Sequence, residues 1–179
     1  MRVVAGTAGG LRLVAPPGRE TRPTSDRVRE ATFNALGSLG AIEGARVLDL
    51  FAGSGALGIE ALSRGAEHAT FVERDRAALE AIKANLATTG LEGQASVVAA
   101  DATAFVASQP GLYDLALLDP PYGYDGWTDL LSTLPAELVV AESDRAVEPG
   151  EGWTVVRSRR YGTTFVGIFR RDTPSTEAL

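Results

Sequence analysis

The tetrapeptide Asp119-Pro120-Pro121-Tyr122 follows an apolar run, Leu115-Ala116-Leu117-Leu118. Two prolines pin the backbone just beyond a buried strand, so the Asp119 carboxylate and the Pro120 carbonyl point in set directions. Both groups accept hydrogen bonds. The exocyclic amine of a purine is a matching donor, and its nitrogen attacks poorly because its lone pair is delocalised into the ring. Two acceptors orient that amine and favour the pyramidal, attacking nitrogen as its charge develops. Tyr122 can stack on a base drawn out of its helix. Asp119, Pro120, Pro121 and Tyr122 are therefore the candidate catalytic residues, against the plain alternative of a rigid loop.

A second constellation supplies a reaction partner. Asp49-Leu50-Phe51-Ala52-Gly53-Ser54-Gly55-Ala56-Leu57-Gly58 holds a G-x-G-x-x-G run between an expected strand and an expected helix. Glycines there let a ligand approach backbone N–H groups at a helix N-terminus. Glu73, twenty residues after Gly53, ends the next strand, where a carboxylate accepts both hydroxyl hydrogens of a ribose. The pattern predicts a nucleoside ligand and leaves NAD and S-adenosylmethionine open. Asp49 favours the second, since a carboxylate pairs with an ammonium and repels a pyrophosphate. Asp101, after the third strand, reads equally as an acceptor for an adenine amine or as a helix N-cap.

Positioning these groups requires alternating elements. Expected strands are Arg46–Leu50, Ala69–Glu73, Ala95–Ala100, Tyr113–Leu118 and Leu138–Ala141; expected helices are Ala56–Ser63, Arg76–Thr88, Thr103–Ser108 and Trp127–Thr133. Apolar strands separated by helices predict an α/β fold, a parallel sheet covered on both faces. Two last strands, Thr154–Arg159 and Thr164–Arg170, joined through Tyr161 and Gly162, are close enough in sequence only for antiparallel pairing. The expectation is a Rossmann-like, seven-stranded, mostly parallel sheet with one antiparallel strand. Residues 1–38 read as a small appendage: a hairpin of Met1–Ala5 and Leu11–Ala15, then a helix from Asp26 to Leu36 capped by Thr24 or Ser25. Residues 39–171 form the catalytic domain and 172–179 a loose tail.

Composition narrows the chemistry. The 179 residues suit one domain, not a two-domain dehydrogenase. With no cysteine and one histidine, His68, thiolate nucleophiles and Cys/His metal sites are excluded, and no metal is expected. No run of about eighteen apolar residues suggests a membrane span and no secretion signal is evident, so a cytoplasmic protein is expected. The net charge is −6, unevenly spread. Residues 1–30 carry six Arg against three acids, residues 151–171 five Arg against one, and residues 31–150 six basic residues against seventeen acidic. An acidic body with basic edges suits a polyanionic partner. His68, Trp127 and Trp153 read as surface and packing residues, and Arg157 with Arg159 and Arg160 as either an RNA contact or a solvated edge.

The chain resembles the bacterial 16S ribosomal RNA guanine-N2 methyltransferases, which modify guanine 966 of the small subunit. The resemblance spans almost the whole chain: Arg22-Pro23-Thr24-Ser25-Asp26-Arg27-Val28-Arg29-Glu30 with Phe33-Asn34, Val47 to Gly58, Glu60 to Ala66, Asn85, Asp101, Asp119 to Tyr122 and Tyr161-Gly162. It implies a class I methyltransferase fold and S-adenosylmethionine, released as S-adenosylhomocysteine. The cofactor would lie along Asp49, Phe51, Ala52, Gly53, Ser54 and Gly55, with Glu73, Arg74, Asp101 and Ala102. It also implies 16S rRNA in the small subunit or an assembly intermediate as partner, possible contact with ribosomal proteins, and a monomeric enzyme. Arg22, Arg27, Arg29, Arg159, Arg160 and Tyr161 become RNA-binding candidates, the first three also as shapers of the entrance. Ala8-Gly9-Gly10-Leu11-Arg12 is less basic than the family's usual start, which implies fewer phosphate contacts. D-P-P-Y alone also suits N6-adenine or other nucleic-acid amino-methyltransferases, though no large recognition domain is present for DNA. A small-molecule methyltransferase would need inserted segments to enclose its pocket. A non-enzymatic RNA-binding relative would show damage at Asp119 or in the glycine loop, and both are intact.

Overall fold

In the fourth strand, β4 (Tyr113–Leu118), Leu115 and Leu117 bury into one apolar cluster while Ala116 and Leu118 bury into another. A strand apolar on both faces must lie in the middle of three layers. The computed structural model, which describes residues 1–17, 25–109 and 111–173, shows this arrangement. Beside β4 stand β1 (Arg46–Leu50), β2 (His68–Glu73), β3 (Ala95–Ala99), β5 (Ala136–Ser143), β6 (Trp153–Tyr161) and β7 (Thr164–Arg171). Helices α1 (Asp26–Ser38), α2 (Ala56–Ser63) and α3 (Arg76–Thr89) cover one face; α4 (Ala102–Ser108) and α5 (Trp127–Thr133) cover the other. A short 3₁₀ turn, Glu92–Gln94, leads into β3.

The strand order is β3-β2-β1-β4-β5-β7-β6, with β7 antiparallel to both neighbours and the rest parallel. This is the expected sheet with its one antiparallel strand. Sequence neighbours run outward in opposite directions from β1 and β4, which makes the gap between their carboxyl ends the switch point where ligands of open α/β sheets bind.

Three local expectations are corrected. The β6–β7 turn is Gly162-Thr163, since β6 continues through Tyr161 and Gly162 supplies the positive φ of 62° that a two-residue hairpin needs. β5 runs past Ala141 because β7 continues to pair with it at Glu142 and Ser143. The N-terminal hairpin has one isolated bridge, Arg2 with Arg12. Val3 N–H to Leu11 O at 2.9 Å and Leu13 N–H to Met1 O at 3.0 Å join its arms, and its backbone also leans on α2: Val4 and Ala5 N–H donate to the Glu60 carboxylate at 2.8 and 3.1 Å, and Ala8 N–H to Ser63 Oγ at 2.9 Å. Val3, Ala8 and Leu13 join Val28, Phe33 and Leu36 of α1 in the core over the sheet, so the appendage shares the core of the domain. Ser25 caps α1 through a hydrogen bond from Val28 N–H. Asp172 is tied in, accepting from Thr154 Oγ1 at 2.6 Å; residues 174–179 lie outside those described. β6 is an edge strand, exposed along Thr154–Arg160, with a register shift between Val155 and Arg157.

Candidate active site

The glycine loop is built on Asp49. Its side chain, 1% exposed, accepts from Gly58 N–H at 2.9 Å, binding the end of β1 to the first turn of α2. Gly58 cannot carry a side chain, because a Cβ would lie 2.4 Å from the Phe71 ring. Burial pushes the Asp49 carboxyl up to about 8, the Gly58 hydrogen bond opposes that rise, and the Glu73 charge adds to it. Phe51 begins the loop with φ 56°, a left-handed conformation costing a bulky residue about 1–2 kcal/mol. The loop is held there by Ala52 N–H to Val72 O at 3.2 Å and Gly53 N–H to Glu73 Oε2 at 2.9 Å.

Glu73 ends β2 and is 4% exposed. Its second oxygen accepts from Arg74 and Asp75 N–H, each at 2.9 Å, so the carboxylate is oriented before any ligand arrives. Asp101 is the N-cap of α4, with Oδ1 accepting from Thr103 and Ala104 N–H at 3.0 and 3.2 Å, while Oδ2 faces Arg74 Nη1 at 3.5 Å. The Thr103 hydroxyl above all, with the Ala104 N–H, holds this carboxyl below the usual range. The cap reading is therefore correct, and Asp101 also lines the cavity described below.

Asp119 to Tyr122 leave the carboxyl end of β4. Pro120 is buried, Asp119 half-buried, and Tyr122 59% exposed at the rim. Two ties from the end of β5 hold the loop: Gly123 N–H donates to Asp144 Oδ2 at 3.1 Å, and Arg145 Nη2 to Tyr124 O at 2.7 Å. Tyr124 packs edge-on between Phe51 and Trp127, with centroids 5.3 and 5.4 Å apart, joining the D-P-P-Y loop to the glycine loop.

These parts enclose a cavity of about 730 Å³. All the expected cofactor and catalytic residues line it except Gly55, which caps α2. Tyr124, Glu142, Ser143 and Asp144 line it without having been expected. Glu142 stands one residue past the apolar run Leu138–Ala141, at the same sheet edge as Asp119, but pairing with β7 keeps it inside β5, which the run alone does not announce.

The RNA-binding candidates divide. Arg22 lies outside the described residues. Arg27, Arg159 and Arg160 are exposed, and Ser25, Arg27 and Val28 of the α1 start face Tyr161 and Gly162 across a second cavity of about 320 Å³. Arg29 is corrected as a phosphate contact, being 1% exposed. Its guanidinium bonds the Arg2 carbonyl and Asp26 Oδ1, and its Nε lies 3.6 Å from the fully buried Glu60. It keeps only a place in the cavity wall.

All-parallel dinucleotide-binding sheets run 3-2-1-4-5-6 and seat a pyrophosphate on the first glycine loop. Here an antiparallel strand lies between the fifth and sixth, and a buried carboxylate stands behind the loop. Fold and site together define a Rossmann-like class I methyltransferase. Residues 1–170 match the family model described as Conserved hypothetical protein 95. The ribosomal RNA small subunit methyltransferase D of Escherichia coli (strain K12) is 44% identical, covering 96% of this chain and 90% of its own length. That of Haemophilus influenzae is 34% identical, covering 95% and 93%. The solved structure of yhhF from Escherichia coli superposes with a TM-score of 0.83 at 36% identity, covering 97% of this chain and 99% of that one. The chain belongs to the ribosomal RNA small subunit methyltransferase D family.

Proposed function

We propose that the protein transfers the methyl group of S-adenosylmethionine to N2 of guanine 966 in 16S ribosomal RNA, in the small subunit or an intermediate of its assembly. The observation that carries this reading is the meeting of Asp119 and Pro120 with Asp49, Glu73 and Asp101 around one cavity. The lining fits the cofactor: carboxylates suit its ammonium and sulfonium charges, Glu73 suits a ribose diol, and Val72, Ala100 and Ala102 offer an apolar wall to a flat adenine. Bound there, S-adenosylmethionine supplies an electron-poor methyl carbon with a good leaving group. The Asp119 carboxylate and the Pro120 carbonyl accept the N2 hydrogens and turn the nitrogen lone pair toward that carbon. Asp119 then takes the proton that the four-bonded nitrogen sheds. Tyr122 at the rim gives the extruded guanine a face to stack on. Arg27, Arg159 and Arg160, with Tyr161, receive RNA phosphates beside the entrance.

The test is transfer of labelled methyl from S-adenosylmethionine to small subunits lacking the modification, followed by nucleoside identification. N2-methylguanosine at one site is expected. Asp119→Ala should lower kcat by about 10²–10³ while cofactor affinity holds. Saturable cofactor binding without transfer to particles or free RNA would redirect the reading to another amine.

A further inference from the structure

Glu142 is a buried carboxylate for which the transfer step has no use. It is 7% exposed and lines the same cavity as Asp119. Its place follows from strand register. Leu118 of β4 pairs with Ala141 of β5, so the next residues outward, Asp119 just past β4 and Glu142 within β5, stand side by side. Alternation sends both to the same face: Leu117 and Val140, two positions back, lie in the cluster beneath α1–α3, and Val166, paired with Glu142, lies there too. Two acidic side chains are thus presented next to each other at the spot where the base must lie.

A pair of acceptors selects a pair of donors. Guanine offers this on one edge, since its N2 amine stands beside N1–H. The amines of adenine and cytosine stand beside bare ring nitrogens, whose lone pairs would face a carboxylate and repel it. We propose that Glu142 is the residue that makes this site specific for guanine, accepting N1–H while Asp119 and the Pro120 carbonyl accept the N2 hydrogens. This rests on the methyl-transfer reading above and adds the origin of base choice to it. D-P-P-Y by itself serves any nucleobase amine; the second acid, one strand over, reads the neighbouring atom. Burial strengthens the discrimination, because the repulsion between a carboxylate and a ring-nitrogen lone pair is poorly screened away from water.

The test uses 16S RNA ligated to carry either guanine or 2,6-diaminopurine at the target position, assembled into small subunits. Diaminopurine keeps the methylatable 2-amine and replaces N1–H by a lone pair. The wild-type protein should prefer guanine by at least about 100-fold in kcat/KM. Glu142→Gln, whose amide can donate to that lone pair, should narrow the preference to within about tenfold. A ratio of two substrates on one preparation cancels any loss of folded protein, and the affinity for each particle, measured alongside, should shift in the same sense. An unchanged ratio in Glu142→Gln, or equal use of both bases by the wild type, overturns the proposal. If the wild type methylates neither RNA while still binding cofactor, the underlying reading falls, and this proposal falls with it.

Discussion

Asp49 titrates near 8 instead of 3.8 because β1 and α2 enclose it. The folded protein keeps a proton that the unfolded chain releases across that interval. Its contribution to stability is therefore complete below about pH 4 and fades as pH rises through about 8. A cationic ligand beside the carboxylate expels the proton. Affinity for S-adenosylmethionine should accordingly climb with pH, by up to about tenfold per unit, and level off above about 8. Calorimetry at pH 7 in two buffers of different ionisation heat should register the released proton, and Asp49→Asn should flatten the climb; a climb that survives the substitution would assign it to another group. Asp49, Glu73 and Asp119 were legible because each stands at a fixed offset from an apolar strand, and strand ends share one sheet edge. Glu142 obeys the same rule but lay hidden because antiparallel pairing with β7 carries β5 beyond its apolar run. Only the phosphate role given to Arg29 fails, because the acid beside its Nε, Glu60, comes from another helix, and spacing along α1 cannot announce it; its alternative as a shaper of the entrance fits its place in the cavity wall.

The parallel strands and their covering helices were readable almost to the residue, since a strand buried on both faces leaves an uninterrupted apolar run. The N-terminal segment was not, because side chains of other elements hold its backbone. Asn85 of α3 is one such holder. Its Oδ1 accepts from Val14 N–H at 2.8 Å, and its Nδ2 donates to Val14 O at 2.9 Å and Ser54 O at 2.8 Å. One buried amide thereby ties three elements, and the glycine loop is as firm as that tie. Asn85→Ala strands backbone groups of Val14 and Ser54, which should cost about 3 kcal/mol and lower Tm by roughly 10 °C. Cofactor affinity should fall with it, because the loop carrying Ser54 loses its anchor on α3. Thermal unfolding with and without S-adenosylmethionine checks both parts; normal affinity in a destabilised variant would show the loop to be anchored from the Glu73 side alone.

Across the whole molecule, charge is sorted by purpose: acids gather in the cavity and arginines on the flank formed by α1 and the β6–β7 hairpin. A protein with net charge −6 can hold a polyanion only through such sorting. Arg27→Ser combined with Arg159→Ser should flatten the dependence of RNA affinity on salt by about one logarithmic unit per lost phosphate contact. KM for the subunit should rise while kcat holds, and filter binding across a salt series measures the slope. The same flank has a colloidal consequence. β6 ends the sheet with Val155 and Val156 50% and 38% exposed, and among the described residues its arginines and its register shift are what discourage a second copy from adding a strand there. Whatever screens those charges, whether concentrated salt or stray fragments of RNA, removes the repulsion between copies. Solubility is therefore expected to be lowest under the conditions that best neutralise this arginine-bearing flank, and the arginines proposed to meet RNA are also what keeps the enzyme from meeting itself.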